Sequence, residues 1–249
     1  KLYVWIRANK LSLNIKKTHF MIFSPRRNAC TKDINITINN ESIMRVQDCK
    51  FLGVILDEKC TWEKHILYIK NKIAKSTGIL HRARKYLGRR YLIDLYNTLL
   101  LPYLNYCIII WANAAEKYLK PLFVMQKRAI RLICNLRRRD STSSSFKLIS
   151  ALKLHDLYEH NVLVFMYKFF HGNLPNIFND FFIYNWQIHK YNTRQKNKFH
   201  VPKFKLQIRK EFVSYTGVIL WNSMCDNINV QEKLPTFKKK VKTIYLDKY

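Results

Sequence analysis

Residues 61–90 read TWEKHILYIKNKIAKSTGILHRARKYLGRR, and this stretch decides the fold. Trp62, Ile66, Ile69, Ile73, Leu80 and Leu87 recur at three- and four-residue steps. At about 100° per residue they gather into one apolar stripe of a helix. The same arithmetic projects Lys64, Lys72, Lys75, Arg82, Lys85 and Arg89 from the opposite face. Surface helices ordinarily intersperse both signs of charge on that face, and here the acids are almost missing.

Downstream the helical period continues. Residues 91–111 are apolar on nearly all sides, with a kink expected at Pro102, which lacks the N–H that an unbroken helix needs. A further amphipathic helix is expected to start near Pro121, a residue suited to a first helical turn. Its core side is Leu122, Met125, Ala129, Ile133 and Leu136, and its far side is Lys120, Lys127, Arg131 and Arg138. Residues 140–145 (DSTSSS) have linker composition and can cap the next helix. Residues 152–171 read as a helix ended by Gly172 and Pro175. Residues 185–208 are polar, basic and weakly patterned, and two last helices are expected over 209–224 and 235–247.

Upstream the period is that of strands. Residues 1–9 read as the end of a helix with Asn9 as a left-handed terminator, and residues 18–24 as a strand closed by Pro25, Arg26 and Arg27. Ile34, Ile36 and Ile38 alternate with polar residues, and Asn39-Asn40-Glu41 supplies turn chemistry before residues 43–46, which predicts a hairpin. Residues 50–56 (KFLGVIL) form another β-branched run, with Gly53 permitting close backbone approach. The chain opens on Lys1 rather than Met, partway through an amphipathic helix, which points to sequence upstream.

Composition narrows the function. Forty-eight per cent hydrophobic and 14% aromatic residues suffice for a sizeable core. Lys and Arg number 45 against 16 Asp and Glu, a formal charge of +29. A compact body with that self-repulsion is best explained by a polyanionic partner, and nucleic acid presents the densest phosphate ladder. Basic residues run through the whole chain rather than forming one juxtamembrane cluster, which argues against an anionic membrane. No two of the six cysteines (30, 49, 60, 107, 134 and 225) have CxxC spacing, so they read as reduced thiols of an intracellular protein.

Catalytic signatures are missing. Two-metal chemistry needs carboxylates converging on one pocket, and the only adjacent acidic pair, Asp57-Glu58, reads as an exposed turn. His155 and His160 are five residues apart, on different sides of a helix, so neither catalytic nor metal-ligating residues are assigned. Glycines are scattered singly, with no phosphate-cradling loop. Of the tryptophans at 5, 62, 111, 186 and 221, most sit in apolar stripes. Trp186, in the basic 185–208 segment, is the candidate for stacking on a base.

Several short blocks, in order, resemble non-LTR (jockey-like LINE) retrotransposon reverse transcriptases. Ala8-Asn9-Lys10-Leu11, Lys17-Thr18 and Phe20-Met21-Ile22-Phe23 resemble the palm segment after the catalytic hairpin. Residues 50–57 (KFLGVILD), with Thr61-Trp62 and His65-Ile66, are similar to the block whose Phe-Leu-Gly turn is the primer grip. Residues 95–98 (LYNT), 102–106 (PYLNY) and Trp111 resemble the helical thumb. Residues 191–194 (YNTR), 220–222 (LWN) and 237–239 (FKK) resemble the C-terminal region of jockey-like elements. The family's upstream acidic motif and Phe/Tyr-x-Asp-Asp hairpin do not occur among these residues.

The resemblance implies an α+β chain. A small antiparallel palm remnant (1–60) is followed by a basic helical thumb (61–139), a linker (140–145) and a helical C-terminal extension (146–249). It implies that Phe51, Leu52 and Gly53 seat a primer end, and that the basic helices track an RNA template with its DNA primer. Lys17 stands where the family has its post-hairpin lysine. It implies no cofactor held by this chain, with magnesium expected only in a complete polymerase, and missing palm and fingers as partners. The setting it implies is nuclear with a cytoplasmic ribonucleoprotein stage, and no membrane. A stand-alone basic RNA- or DNA-binding module and an inert remnant of a decayed element are the other readings.

Overall fold

A computed structural model describes residues 2–24, 34–38, 41–188, 191, 193–224, 228 and 230–249. Pro25-Arg26-Arg27, Cys30, the Asn39-Asn40 turn, Asn192 and Cys225 lie outside the described residues. The fold is α+β, and it divides into two compact units, Lys1–Leu67 and Tyr68–Tyr249. The division falls inside a helix.

The smaller unit opens with α1 (Leu2–Ala8). Lys10, at φ 55°, is its left-handed terminator in place of the expected Asn9. Asn9 instead uses its side-chain amide to cap the Trp5 carbonyl at 2.8 Å. The strands are shorter than their sequence pattern: β1 is His19–Phe20, β2 Thr37–Ile38, β3 Glu41–Ser42 and β4 Met44–Arg45. β2 and β3 form an antiparallel hairpin, but its returning strand is Glu41–Ser42 rather than residues 43–46. β4 instead pairs with β1 in parallel, a correction to the antiparallel expectation at that pair. The long connection between β1 and β4 makes that pairing possible, because parallel neighbours need a crossover.

Residues 50–56 are not one strand. They belong to two, β5 (Asp48–Phe51) and β6 (Val54–Asp57), paired antiparallel with Phe51 opposite Val54. Leu52 and Gly53 make the reversal with φ 45° and 86°. Two successive positive φ values characterise the two-residue turn whose twist matches a hairpin.

Asp57 is likewise no exposed acid. Its Oδ1 accepts from the Lys59 and Thr61 backbone N–H groups (3.2 and 3.0 Å) and from the Thr61 hydroxyl (3.2 Å). Its Oδ2 accepts from the Trp62 N–H at 2.9 Å. These bonds hold a loop in which Cys60 and Trp62 both have positive φ. Trp62 therefore precedes the helix it was expected to begin. That helix is α2 (Glu63–Ala83), and it ends before Leu87, which is exposed. Between these limits Ile66, Ile69, Ile73 and Leu80 are buried as the period requires.

In the larger unit, residues 89–111 break twice: α3 is Arg89–Leu99, α4 Leu101–Asn105 and α5 Ile108–Trp111. Pro102 lies in the first turn of α4, where its missing N–H costs nothing, so the break precedes it. Cys107 makes the second break at φ 50°. One stripe (Leu92, Tyr96, Leu100, Leu104, Ile108 and Trp111) is buried across all three helices.

α6 is Glu116–Cys134, so Pro121 lies inside it rather than at its start, and Asn135 ends it in the left-handed conformation. Residues 140–145 form a packed corner. Arg137 donates its N–H to the Asp140 carboxylate at 2.8 Å, Thr142 and Ser145 are buried, and α7 (Ser143–Leu148) starts within the segment. Phe146 is fully enclosed, and burying a side chain of that kind contributes about 1.5–3 kcal/mol.

α8 (Leu154–Phe170) ends at Gly172 as expected and is the hub of the C-terminal part. After a 3-10 turn (Asn176–Phe181) come α9 (Asn185–Ile188), α10 (Gln207–Lys210), α11 (Val213–Met224) and α12 (Leu234–Leu246). α11 and α12 both pack on α8.

Candidate nucleic-acid interface

In the larger unit, α2 and α6 enclose a groove. Its wider part is a cavity of about 590 Å³ lined by His81, Arg84, Val124, Arg128, Arg131, Leu132, Leu136 and Arg138. A narrower part of about 220 Å³ is lined by Ala74, Thr77, Gly78, His81, Met125 and Arg128. His81 and Arg128 line both.

The groove exists because α2 presents small residues where it passes α6. A Cβ added at Gly78 would meet nothing within 4 Å. Its floor is aliphatic, its rim is guanidinium, and no lining residue is acidic. Among the described residues, no carboxylate pairs with Arg84, Arg128 or Arg138. Unpaired guanidinium groups around an open channel suit bidentate contact with phosphate oxygens.

The sequence-predicted cations distribute unevenly around this groove. Arg131 and Arg138 line it. Arg131 is also anchored, since its Nε and Nη2 donate to the Asp140 carbonyl at 3.3 and 3.1 Å. Lys75, Arg82, Lys85, Arg89 and Lys120 are exposed outside its lining. Lys72 lies over the Tyr68 ring and Lys127 over the Phe123 ring, each half-buried.

In the smaller unit Lys64 pairs with Asp48, and Lys17 is exposed in a tight turn (Ile15–Lys17). His81, Arg84 and Arg128 were missed by sequence reasoning. Arg84 lies three helical turns beyond Ile73, on the side the wheel assigns to the core, and only the partner helix reveals that this side opens into a channel.

The turn of Phe51, Leu52 and Gly53 also stands out. Phe51 and Leu52 are 62% and 75% exposed at the tip of their hairpin. Leu52 holds a positive φ that a branched side chain rarely adopts, a cost of about 1–3 kcal/mol. Strain of this kind, joined to apolar exposure, sets these side chains apart from the core.

A third cavity, about 370 Å³, is lined by residues of α3, α4, α8 and α12, among them His160, Lys238 and Lys242. His160 Nε2 donates to the Lys238 carbonyl at 3.2 Å, which leaves Nδ1 as a buried acceptor with no donor. Burial foremost, with Lys238 and Lys242 nearby, holds the His160 pKa below the usual imidazole range. Burial also lowers that of Lys242. His155 lies elsewhere, beside Glu116 at 3.7 Å.

Among the described residues no group of three His, Cys, Asp or Glu side chains could hold a metal ion. Asp57 is saturated by its loop, and Glu58 pairs with Arg45 at 3.5 Å. The described acids therefore do not fit the magnesium site of a polymerase. Cys49, Cys60, Cys107 and Cys134 are free thiols. No described helix is long and apolar enough to cross a membrane. Trp111 and Trp221 are core residues, while Trp5 and Trp186 are exposed, so Trp5 departs from the expected core role.

No family model and no solved structure matches the chain. Three curated proteins do. The RNA-directed DNA polymerase from mobile element jockey of Drosophila melanogaster is 26% identical over 145 residues, 55% of this chain and 15% of that protein. Its counterpart from Drosophila funebris is 28% identical over 144 residues, with the same coverage. The probable RNA-directed DNA polymerase from transposon X-element of Drosophila melanogaster is 26% identical over 133 residues, 52% of this chain and 14% of that protein. The match thus spans about one seventh of each relative's length.

Proposed function

We propose that this chain, a relative of the RNA-directed DNA polymerases of jockey-like non-LTR retrotransposons, grips the template–primer duplex for RNA-directed DNA synthesis. The observation that carries this reading is the α2–α6 groove, with arginines on its rim and no acid in its lining. Phosphate contacts of this sort position a duplex without reading its sequence. The exposed Phe51-Leu52-Gly53 turn offers an apolar contact for the primer end. The chain supplies grip rather than chemistry, because its residues contain no paired-aspartate hairpin. Its setting is intracellular and nuclear, with a cytoplasmic ribonucleoprotein stage.

The test is fluorescence anisotropy of an RNA–DNA hybrid duplex against the full chain. The triple variant Arg84→Glu/Arg128→Glu/Arg138→Glu is expected to lose most of the affinity. The control Lys239→Glu, on the exposed face of α12, is expected to keep it. Equal affinity of both variants overturns the reading. Primer extension by the isolated chain with magnesium is expected to be absent.

A further inference from the structure

From Phe181 to Lys210 the chain carries eight Lys and Arg and no Asp or Glu. Within this segment three aromatic rings form a ladder from the core to the surface. Phe199, 1% exposed, stacks on Tyr184 with centroids 4.5 Å apart and 24° between planes. Tyr184, half-buried, is followed by Trp186 at 6.1 Å and 16°. Trp186 is the outermost rung and is 56% exposed.

The ladder is held by its backbone. Ile183 accepts from the His200 N–H at 2.7 Å, and Asn185 and Trp186 donate to the carbonyls of Lys198 (3.1 Å) and Lys196 (3.2 Å). Asn222 of α11 brackets Phe199, accepting from its N–H at 3.1 Å and donating to its carbonyl at 2.8 Å. Arg194 and Lys196 are exposed on the returning segment. An exposed ring at the end of a stack, in a segment rich in cations, offers apolar area on which a further flat ring can stack.

We propose that Trp186 is a stacking platform for an unpaired base, so that the segment around it binds single-stranded RNA or DNA. A base in a duplex is already covered on both faces, whereas an unpaired base extends the Phe199–Tyr184–Trp186 series by one rung. Arg194 and Lys196 then meet the adjoining phosphates. Aromatic stacking accepts any base, so the platform is indifferent to sequence. This inference deepens the nucleic-acid reading, yet it rests on the ladder and not on the α2–α6 groove.

The experiment compares the full chain with Trp186→Ala and Trp186→Phe, each shown by thermal melting to stay folded. Titrations use a short oligo(dT), an abasic strand of equal length, and the hybrid duplex. Trp186→Ala is expected to weaken oligo(dT) binding about 5- to 100-fold, the range for losing one stacked base, while Trp186→Phe keeps most of it. Abasic-strand and duplex affinities are expected to be the same for all three proteins. Unchanged oligo(dT) affinity in Trp186→Ala, or equal losses on oligo(dT) and the abasic strand, overturns the proposal. The groove triple variant separates the two readings: it is expected to lose duplex binding and keep the base-dependent part of oligo(dT) binding.

Discussion

The side-chain amide of Gln126 donates to the phenolic oxygen of Tyr96 at 3.0 Å, inside a core that encloses both residues. The same nitrogen donates to the Leu152 carbonyl at 2.9 Å, so one polar group ties α6 to α3 and to the entry of α8. Burial pushes the Tyr96 pKa up to about 12, against the Gln126 hydrogen bond, which lowers it. The phenol is therefore neutral throughout the physiological range.

Replacing Gln126 by Leu strands the Tyr96 and Leu152 oxygens away from water. Each stranded group costs about 1–3 kcal/mol, so urea denaturation should show a large loss of stability. Tyr96→Phe keeps the shape and should cost only about 0.5–1.5 kcal/mol. If both variants melt like the parent, the buried bond is not a fastener of this core.

The groove predicts a salt signature. Log affinity for duplex falls with log salt by about 0.9 per phosphate neutralised. Removing the charges of Arg84, Arg128 and Arg138 by Ala substitution should flatten that slope by about 2–3. A slope equal to the parent's would mean that these arginines face no phosphate.

Two glycines should respond in opposite directions to Ala. Gly78 is inside α2 with open space at its Cβ, so Gly78→Ala should stabilise by about 0.5–1 kcal/mol. At Gly217 in α11 a Cβ would stand 2.9 Å from Met166 Sδ and 3.3 Å from Val213 Cγ2, and Gly217→Ala should lower the melting temperature.

Stability should fall in acid through buried His65 and half-buried His160. The pKa of His65 is lowered by burial, and that of His160 by burial with two lysines nearby. Ile55 also donates its N–H to His65 Nδ1 at 3.3 Å, a bond that protonation of that nitrogen would break. A lowered folded-state value means that the unfolded chain takes the proton first. Stability is then fully present above about pH 6.5 and is lost as pH falls toward the folded values. Urea midpoints at neutral and mildly acidic pH should show this drop, smaller in His160→Gln; an equal drop in that variant would assign it to other groups.

The β5–β6 turn should separate stability from binding. Leu52→Asn relieves a positive φ that Asn tolerates and should stabilise the hairpin, while Gly53→Ala should weaken it. If Leu52 contacts a primer end, Leu52→Asn gains stability and loses hybrid affinity. Retained affinity would remove Leu52 from the interface.

Much of this was legible in the residues. The 3.6-residue period of α2, α6 and α8 and the stop at Gly172 depend on neighbours within one or two turns. The antiparallel expectation failed at β1–β4, because pairing partners 25 residues apart leave no local pattern. Residues 140–145 have linker chemistry yet pack as a corner, because Arg131 and Arg137 converge on Asp140.

The sequence by itself determined the helical period, the net charge of +29 and the order of blocks that relate the chain to a polymerase family, all of which are sums or local spacings. Tertiary structure alone decided which cations lie together. Lys64 is spent on Asp48, while Arg84 and Arg128 share a groove. It also decided which aromatic ring reaches the surface, since Trp186 stands where Phe199, thirteen residues on, supports Tyr184. The physical reason is the same in both cases. A side chain's role depends on what is packed against it, and that partner comes from another element of the chain.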